Sequence, residues 1–168
     1  MAKPKLITGL FKNRLAAEAA VDALLKRGYT RDDISVLMSD ATKSKEFALQ
    51  ARTHAADGAG LGGALGGVVG ATLAAIVAVG STIVLPGLNL VIAGPIVAAL
   101  AGAGAGAATG GVIGALIGAG IPEYRAKVYE AGLLSGGILL GVEAKSDDEG
   151  DKLEELLGAL GGEHVRAE

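Results

Sequence analysis

The chain has 168 residues and a formal net charge of −3, with no Cys and no Trp. The lack of Cys excludes disulfides, thiolate metal sites and a Cys nucleophile. With no basic block and only 3% aromatics, the sequence also argues against nucleic-acid partners and base-stacking or sugar-binding platforms.

In chain order, the N-terminal MAKPKLITGLFKNR lacks the unbroken apolar region of about 7–15 residues that a secretion signal requires, so the polar parts are expected in the cytoplasm. Lys5–Phe11 (KLITGLF) predicts a strand. Asn13 can cap a following helix by accepting a free backbone N–H. The run RLAAEAAVDALLKR places Ala17, Val21, Leu24 and Leu25 on one face and ends at Gly28, a residue suited to the left-handed stop position. In Asp33–Ser39, Ile34, Val36 and Met38 alternate as in a half-buried strand. A polar, partly helical connector is expected from 41 to 57. Near the other end, Pro122 and Glu123 suit the first turn of a helix over roughly 122–135. Ile138–Ala144 predicts a strand with Ile138, Leu140 and Val142 on one side. Ser146 with Glu149 reads as a capping box, and Leu153, Leu156, Leu157 and Leu160 form a buried helical stripe. Gly161-Gly162 ends that helix, and Glu163–Ala167 predicts a short edge strand.

Each flank is thus β-α-β. Two such halves predict an α+β fold, a split ferredoxin-like sandwich with four antiparallel strands and two helices on one face. The three segments are 1–57 (first half plus connector), 58–121 (an insertion) and 122–168 (a helix plus second half). The roughly 100 flanking residues suffice for one small core.

Charge marks out the insertion: Gly58 to Pro122 holds 65 residues without a single Asp, Glu, Lys, Arg or His. Pro86-Gly87 and Gly94-Pro95 within LPGLNLVIAGP are breaker pairs, predicting a turn between two helical arms near 58–84 and 95–120. Each arm of about 26 residues reaches roughly 39 Å at ~1.5 Å per residue, more than a ~30 Å bilayer core. Gly58, Gly62, Gly66 and Gly70 recur every fourth residue in the first arm. Gly102, Gly106, Gly110, Gly114 and Gly118 do so in the second. Residues four apart share a helical face, so each arm carries a seam of small residues that lets helices approach closely. Several interior glycines, at about 0.8–1 kcal/mol each relative to Ala, would melt a lone helix in water. The seams therefore call for burial, either as a membrane-spanning hairpin or between copies in a soluble homo-oligomer. In a hairpin both flanks lie on one side, and Lys43, Lys45, Arg52, Arg125 and Lys127 place that side in the cytoplasm.

Little catalytic chemistry is legible. Gly58–Gly63 (GAGLGG) fits G-x-G-x-x-G but lacks the preceding strand and an acid about 20 residues on. His54 and His164 read as exposed polar residues. Asp147, Asp148, Glu149 and Asp151 read as carboxylates favoured at a helix N-terminus. Tyr124 and Tyr129 suit either a headgroup level or packing on the sheet. No catalytic, cofactor-binding or metal residue is expected and no small-molecule substrate is predicted; a sensor role for the sheet would need a pocket with convergent polar groups.

LITGLFKNRLAAEAAVDALLKRGYTRDDISVL resembles the bacterial general stress protein 17M-like domain, whose members share a G-F/Y-x-x-x-D-I-S-V turn and strand, here Gly28 to Val36. The stretch from AGPIVAALAGAGAGAATGGVIG through GILLGVEA is similar to the glycine-rich, membrane-like part of many of those proteins. The resemblance implies a stress-associated bacterial protein with no defined enzymatic activity, and it transfers no site residues. The expectation is a non-enzymatic, self-associating protein anchored in the inner membrane by the hairpin, with lipid and itself as partners. The alternative is a soluble cytoplasmic homo-oligomeric scaffold, with an apolar ligand as a further option.

Overall fold

β1 (Lys5–Phe11) is the second strand from one edge of the sheet, and its side chains alternate between two buried faces. The computed structural model describes residues 5–45, 73, 76, 83–85, 90–96 and 105–167. The other elements are α1 (Arg14–Lys26), β2 (Ile34–Ser39), β3 (Ile83–Leu85), β4 (Leu90–Ala93), α2 (Ala105–Gly118), α3 (Glu123–Leu134), β5 (Ile138–Ala144), α4 (Asp147–Ala159) and β6 (Glu163–Ala167). A one-turn 3-10 helix, Arg31–Asp33, precedes β2, and a helical segment occupies 40–45 at the start of the expected connector. The fold is α+β, with one antiparallel sheet in the order β3-β4-β2-β5-β1-β6.

The local signals of the flanks act as the sequence implies. The Asn13 side chain accepts from the Ala16 N–H at 2.9 Å, which satisfies one otherwise unpaired donor at the start of α1. Both α1 and α4 are followed by left-handed glycines, Gly28 and Gly161. Ser146 accepts from the Glu149 N–H at 3.3 Å, while the Glu149 carboxylate accepts from the Lys145 N–H at 3.1 Å, one residue before the cap. Pro122 is the residue before α3 rather than part of its first turn.

The sequence predicts one helical layer; the sheet has two. On one face Ala17, Val21 and Leu24 of α1 and Leu153 and Leu157 of α4 pack on Ile7, Phe11, Val36, Ile138 and Leu140. Each fully buried Val or Leu contributes about 1.5–3 kcal/mol. On the other face Val112, Ala115 and Leu116 of α2 and Ala126, Tyr129 and Leu133 of α3 pack on Leu10, Leu37, Ile92 and Leu139. β2 is consequently buried on both sides, Ser35 and Leu37 included, and is not the half-buried strand that its alternation suggests. The odd-numbered polar position of a four-residue hydrophobic pattern does not reveal a second covering layer.

The predicted turn between two helical arms is corrected as well. Leu90–Ala93 is a strand, paired with β2 from Val36↔Ala93 to Ser39↔Leu90 and with β3 from Ile83↔Ile92 to Leu85↔Leu90. Gly94 and Pro95 form the bend after β4, and the chain becomes helical again at Ile96. Pro86 and Gly87 fall between β3 and β4, outside the described residues. The physical reason is the free edge of β2, whose unpaired backbone groups and buried face accept a short aliphatic strand. A four-residue apolar run between breakers has no period long enough to distinguish strand from helix.

Before β2, Thr30 donates to the Asp33 carboxylate through its N–H and its hydroxyl, both at 2.8 Å. The backbone bond, then the hydroxyl, hold the Asp33 carboxyl below its ordinary pKa, aided by Lys145. A depressed folded pKa means that this stabilisation is full above the unfolded value of about 3.9 and is lost as pH falls through the folded value. The difference in thermal midpoint between the parent and Asp33→Asn should therefore narrow on acidification from about pH 5 to about pH 2. A constant difference would mean that the carboxylate charge is not what Thr30 stabilises.

Candidate association surface and buried polar node

Of the glycines predicted to form seams, Gly106, Gly110, Gly114 and Gly118 fall in α2; Gly58, Gly62, Gly66, Gly70 and Gly102 lie outside the described residues. α2 is not one straight helix, because Gly111 takes φ 60 and ψ −144, a conformation open in practice only to glycine. The four-residue register thus runs across a break, with Gly110 on one side and Gly114 on the other. Beyond the break Val112, Ala115 and Leu116 face the sheet. Gly114, Ile117 and Gly118 lie on the opposite side of the helix, where Ile117 is 43% exposed. Among the described residues, a Cβ placed on Gly110 would meet no atom within 4 Å. Among the described residues, no helix is long and apolar enough to cross a membrane.

Among the described residues, α3 carries the densest polar arrangement. Arg125 and Tyr129 are four residues apart, so one helical face aims both at the sheet. Tyr129 is fully buried and Arg125 is 6% exposed. Thr8 points to the same side because β1 alternates, and its hydroxyl lies 2.9 Å from the Tyr129 hydroxyl. Arg125 Nη2 donates to Thr8 Oγ1 at 3.3 Å, to the Tyr129 hydroxyl, and to the carbonyl of His164 at 2.6 Å. Tyr129 also donates to that carbonyl, at 2.8 Å. The guanidinium carbon sits 5.2 Å from the Tyr129 ring centroid. Burial, the largest influence, pushes the Tyr129 hydroxyl pKa up, opposed by the Thr8 bond and the Arg125 charge, so the group stays a neutral donor.

The carbonyl is available because β6 bulges. Thr8 pairs with Arg166 but Leu10 pairs with Glu163, so β6 spends one residue more than β1 over this interval. His164 sits in the bulge with φ 53, a conformation that costs a non-glycine residue about 1–3 kcal/mol. The bonds from Arg125 and Tyr129 fall on this strained residue's backbone, which ties α3 to the edge strand. Between α3 and β6 lies a cleft of about 550 Å³, with Tyr124, Arg125, Val128, Tyr129, His164 and Arg166 in its lining.

The sequence separates these groups. It treats Arg125 as a flanking charge and offers Tyr129 a place on the sheet as one of two options. His164 it reads as an exposed polar residue, and the side chain is exposed, but the contribution is made by its backbone. Thr8, a polar residue at an inward position of an apolar strand, was the available signal, together with the i,i+4 spacing of Arg125 and Tyr129. The acidic run 147–151 remains local: Asp147 pairs with Lys5 at 2.9 Å, and among the described residues no cluster of three metal-ligating side chains forms. His54 lies outside the described residues. No protein-family model, no curated protein and no solved structure matches this chain.

Proposed function

We propose that this is a non-enzymatic, self-associating protein, stress-associated by its resemblance, in which a ferredoxin-like head carries a glycine-rich association segment. The order β6-β1-β5-β2, with α1 and α4 on one face, supports the split ferredoxin-like reading; β4 and β3 extend that sheet. The observation that carries the association is the outward side of α2. It presents glycine positions and the 43% exposed Ile117 within a 65-residue uncharged stretch, while its other side is committed to the sheet. Small-residue surfaces of this kind are completed by a matching surface, and a second copy of the chain supplies one.

Gly110→Leu separates association from folding. A Cβ there meets no atom of the described residues within 4 Å, and leucine favours a helix over glycine by up to about 1 kcal/mol. Thermal stability should hold or rise while the mass of the native assembly, by light scattering or analytical ultracentrifugation, falls. An unchanged mass would reject this face as the interface. The host of the assembly follows from fractionation. The uncharged arms support anchoring in the inner membrane with both termini cytoplasmic, which predicts retention in carbonate-washed membranes. The seating of Val112, Ala115 and Leu116 on the sheet supports the second reading, a soluble oligomer that buries its glycine surfaces between copies. That reading predicts a large detergent-free particle in the supernatant.

A further inference from the structure

Among the described residues, β6 ends the sheet, and an edge strand offers backbone groups on which another strand can form. Two of those groups are already held by side chains from opposite faces of the sheet. The Ala167 N–H donates to Glu154 Oε1 at 2.6 Å. Ala167 stands opposite Ile7 of β1, yet its N–H goes to a side chain of α4, so it belongs to the outer row of the strand. Three residues back, at the bulge, the His164 carbonyl accepts from Arg125 and Tyr129 of α3. Glu154 also closes around the strand. Val165 and Ala167 pack against the core shared by α1 and α4, so Arg166 between them points to the α3 face. Its guanidinium nevertheless lies 3.7 Å from Glu154, which α4 carries on the other face. The two side chains therefore meet across the outer edge of β6. Glu154 is the better anchored of the pair, its side chain 25% exposed against 71% for Arg166.

We propose that Glu154 is an autoinhibitory contact, which holds the edge of β6 closed to the β6 of a second copy. A two-fold antiparallel pairing needs only this one strand from each chain. Centred on Val165, it sets Glu163 opposite Ala167 and His164 opposite Arg166. That register opposes no two carboxylates and no two arginines, so side-chain charge does not forbid it. What forbids it is the carboxylate of Glu154, which occupies the Ala167 donor that an incoming carbonyl would need. The device keeps the sheet of one copy from running on into the next and confines self-association to other surfaces. It does not rest on the α2 surface, because β6 and Glu154 belong to different elements of the fold.

The test uses the full chain carrying Gly110→Leu, so that the α2 surface does not contribute. Sedimentation equilibrium compares this parent with the same chain bearing Glu154→Ala. The Glu154→Ala chain should dimerise at least about tenfold more tightly than its parent, with a Kd of about 100 µM or below. Its thermal midpoint should stay within about 8 °C of the parent's, because water takes up the freed N–H. Glu154→Gln keeps a side-chain acceptor for that N–H and should dimerise within about threefold of the parent. Ala167→Pro removes the donor itself, which an edge strand accommodates where the N–H faces away from the ladder. Added to Glu154→Ala, it should restore the parent's mass. Unchanged association in Glu154→Ala overturns the proposal. So does equal association in Glu154→Gln, since the acceptor is then not what closes the edge. Association of Glu154→Ala that survives Ala167→Pro lies elsewhere and overturns it as well, and a larger fall in the midpoint makes Glu154 a stabilising contact instead. If Gly110→Leu leaves the native assembly intact, the α2 reading fails by itself, and Glu154→Ala is then read as growth beyond that assembly.

Discussion

Tyr129→Ala is expected to destabilise the protein by about 3–5 kcal/mol, the range for deleting a large buried aromatic, against a total stability of about 5–15 kcal/mol for a domain. The ring lies in the core that α2 and α3 share with Leu10, Leu37 and Leu139, so its removal opens a cavity in the middle of that layer. The hydroxyl bonds to Thr8 and to the His164 carbonyl disappear with it, and Arg125 loses the ring over which it lies. Arg125 keeps its bonds to Thr8 and the His164 carbonyl, so its loss is confined to the Tyr129 hydroxyl and ring. Tyr129→Phe keeps the ring and removes the hydroxyl, and should cost about 1–3 kcal/mol. A double-mutant cycle of Tyr129→Phe with Thr8→Val should show a coupling of about 0.5–3 kcal/mol. Urea unfolding checks all three values. If Tyr129→Ala costs less than about 1 kcal/mol, an average substitution, the node does not hold the second helical layer to the sheet.

The elements most legible in the sequence are those with a long period and a capping residue. α1 announces itself through Asn13 and the spacing of Ala17, Val21 and Leu24, and α4 through Ser146 and the Leu153–Leu157 stripe. The edge position of β6 follows from its short length and from Glu163, His164 and Arg166 among its five residues. What stays hidden depends on long-range partnership. Leu90–Ala93 could be assigned only by knowing that β2 has a free edge, and β2 could be seen as doubly buried only by knowing that residues 105–134 return over the sheet. The polar node joins Thr8, Arg125, Tyr129 and the backbone of His164, residues up to 156 positions apart, through a bulge that no local pattern encodes. The glycine register was legible as spacing, but the break at Gly111 depends on a backbone conformation that an adjacent pair of glycines permits without announcing.

Gly94→Ala carries the other large expected effect, and it tests the corrected reading of residues 83–96. As a turn between two helical arms, Gly94 would tolerate alanine at the modest cost of its φ. As the residue leaving β4 it is pressed against the start of β2: an added Cβ would fall 2.2 Å from the Ile34 carbonyl oxygen and 2.7 Å from the Ser35 Cα, with φ at +93. Those neighbours are backbone, inside a strand that also pairs with β5, so they cannot rotate away as a side-chain tip would. The conformational penalty is about 1–2 kcal/mol and the overpacking about 1–3 kcal/mol, together about 2–5 kcal/mol. The Ile96 N–H, two residues on, donates to the Ser35 hydroxyl at 3.0 Å, and displacement of Gly94 should break this contact as well. The strain is relieved most cheaply by releasing β3 and β4 from the edge of β2, while β2, β5, β1 and β6 keep their mutual pairing. Hydrogen exchange should therefore accelerate at amides 90–93 and leave those of β1 and β5 protected. Alanine at 94 with unchanged stability and unchanged exchange would return this segment to a simple turn, and the sheet to four strands.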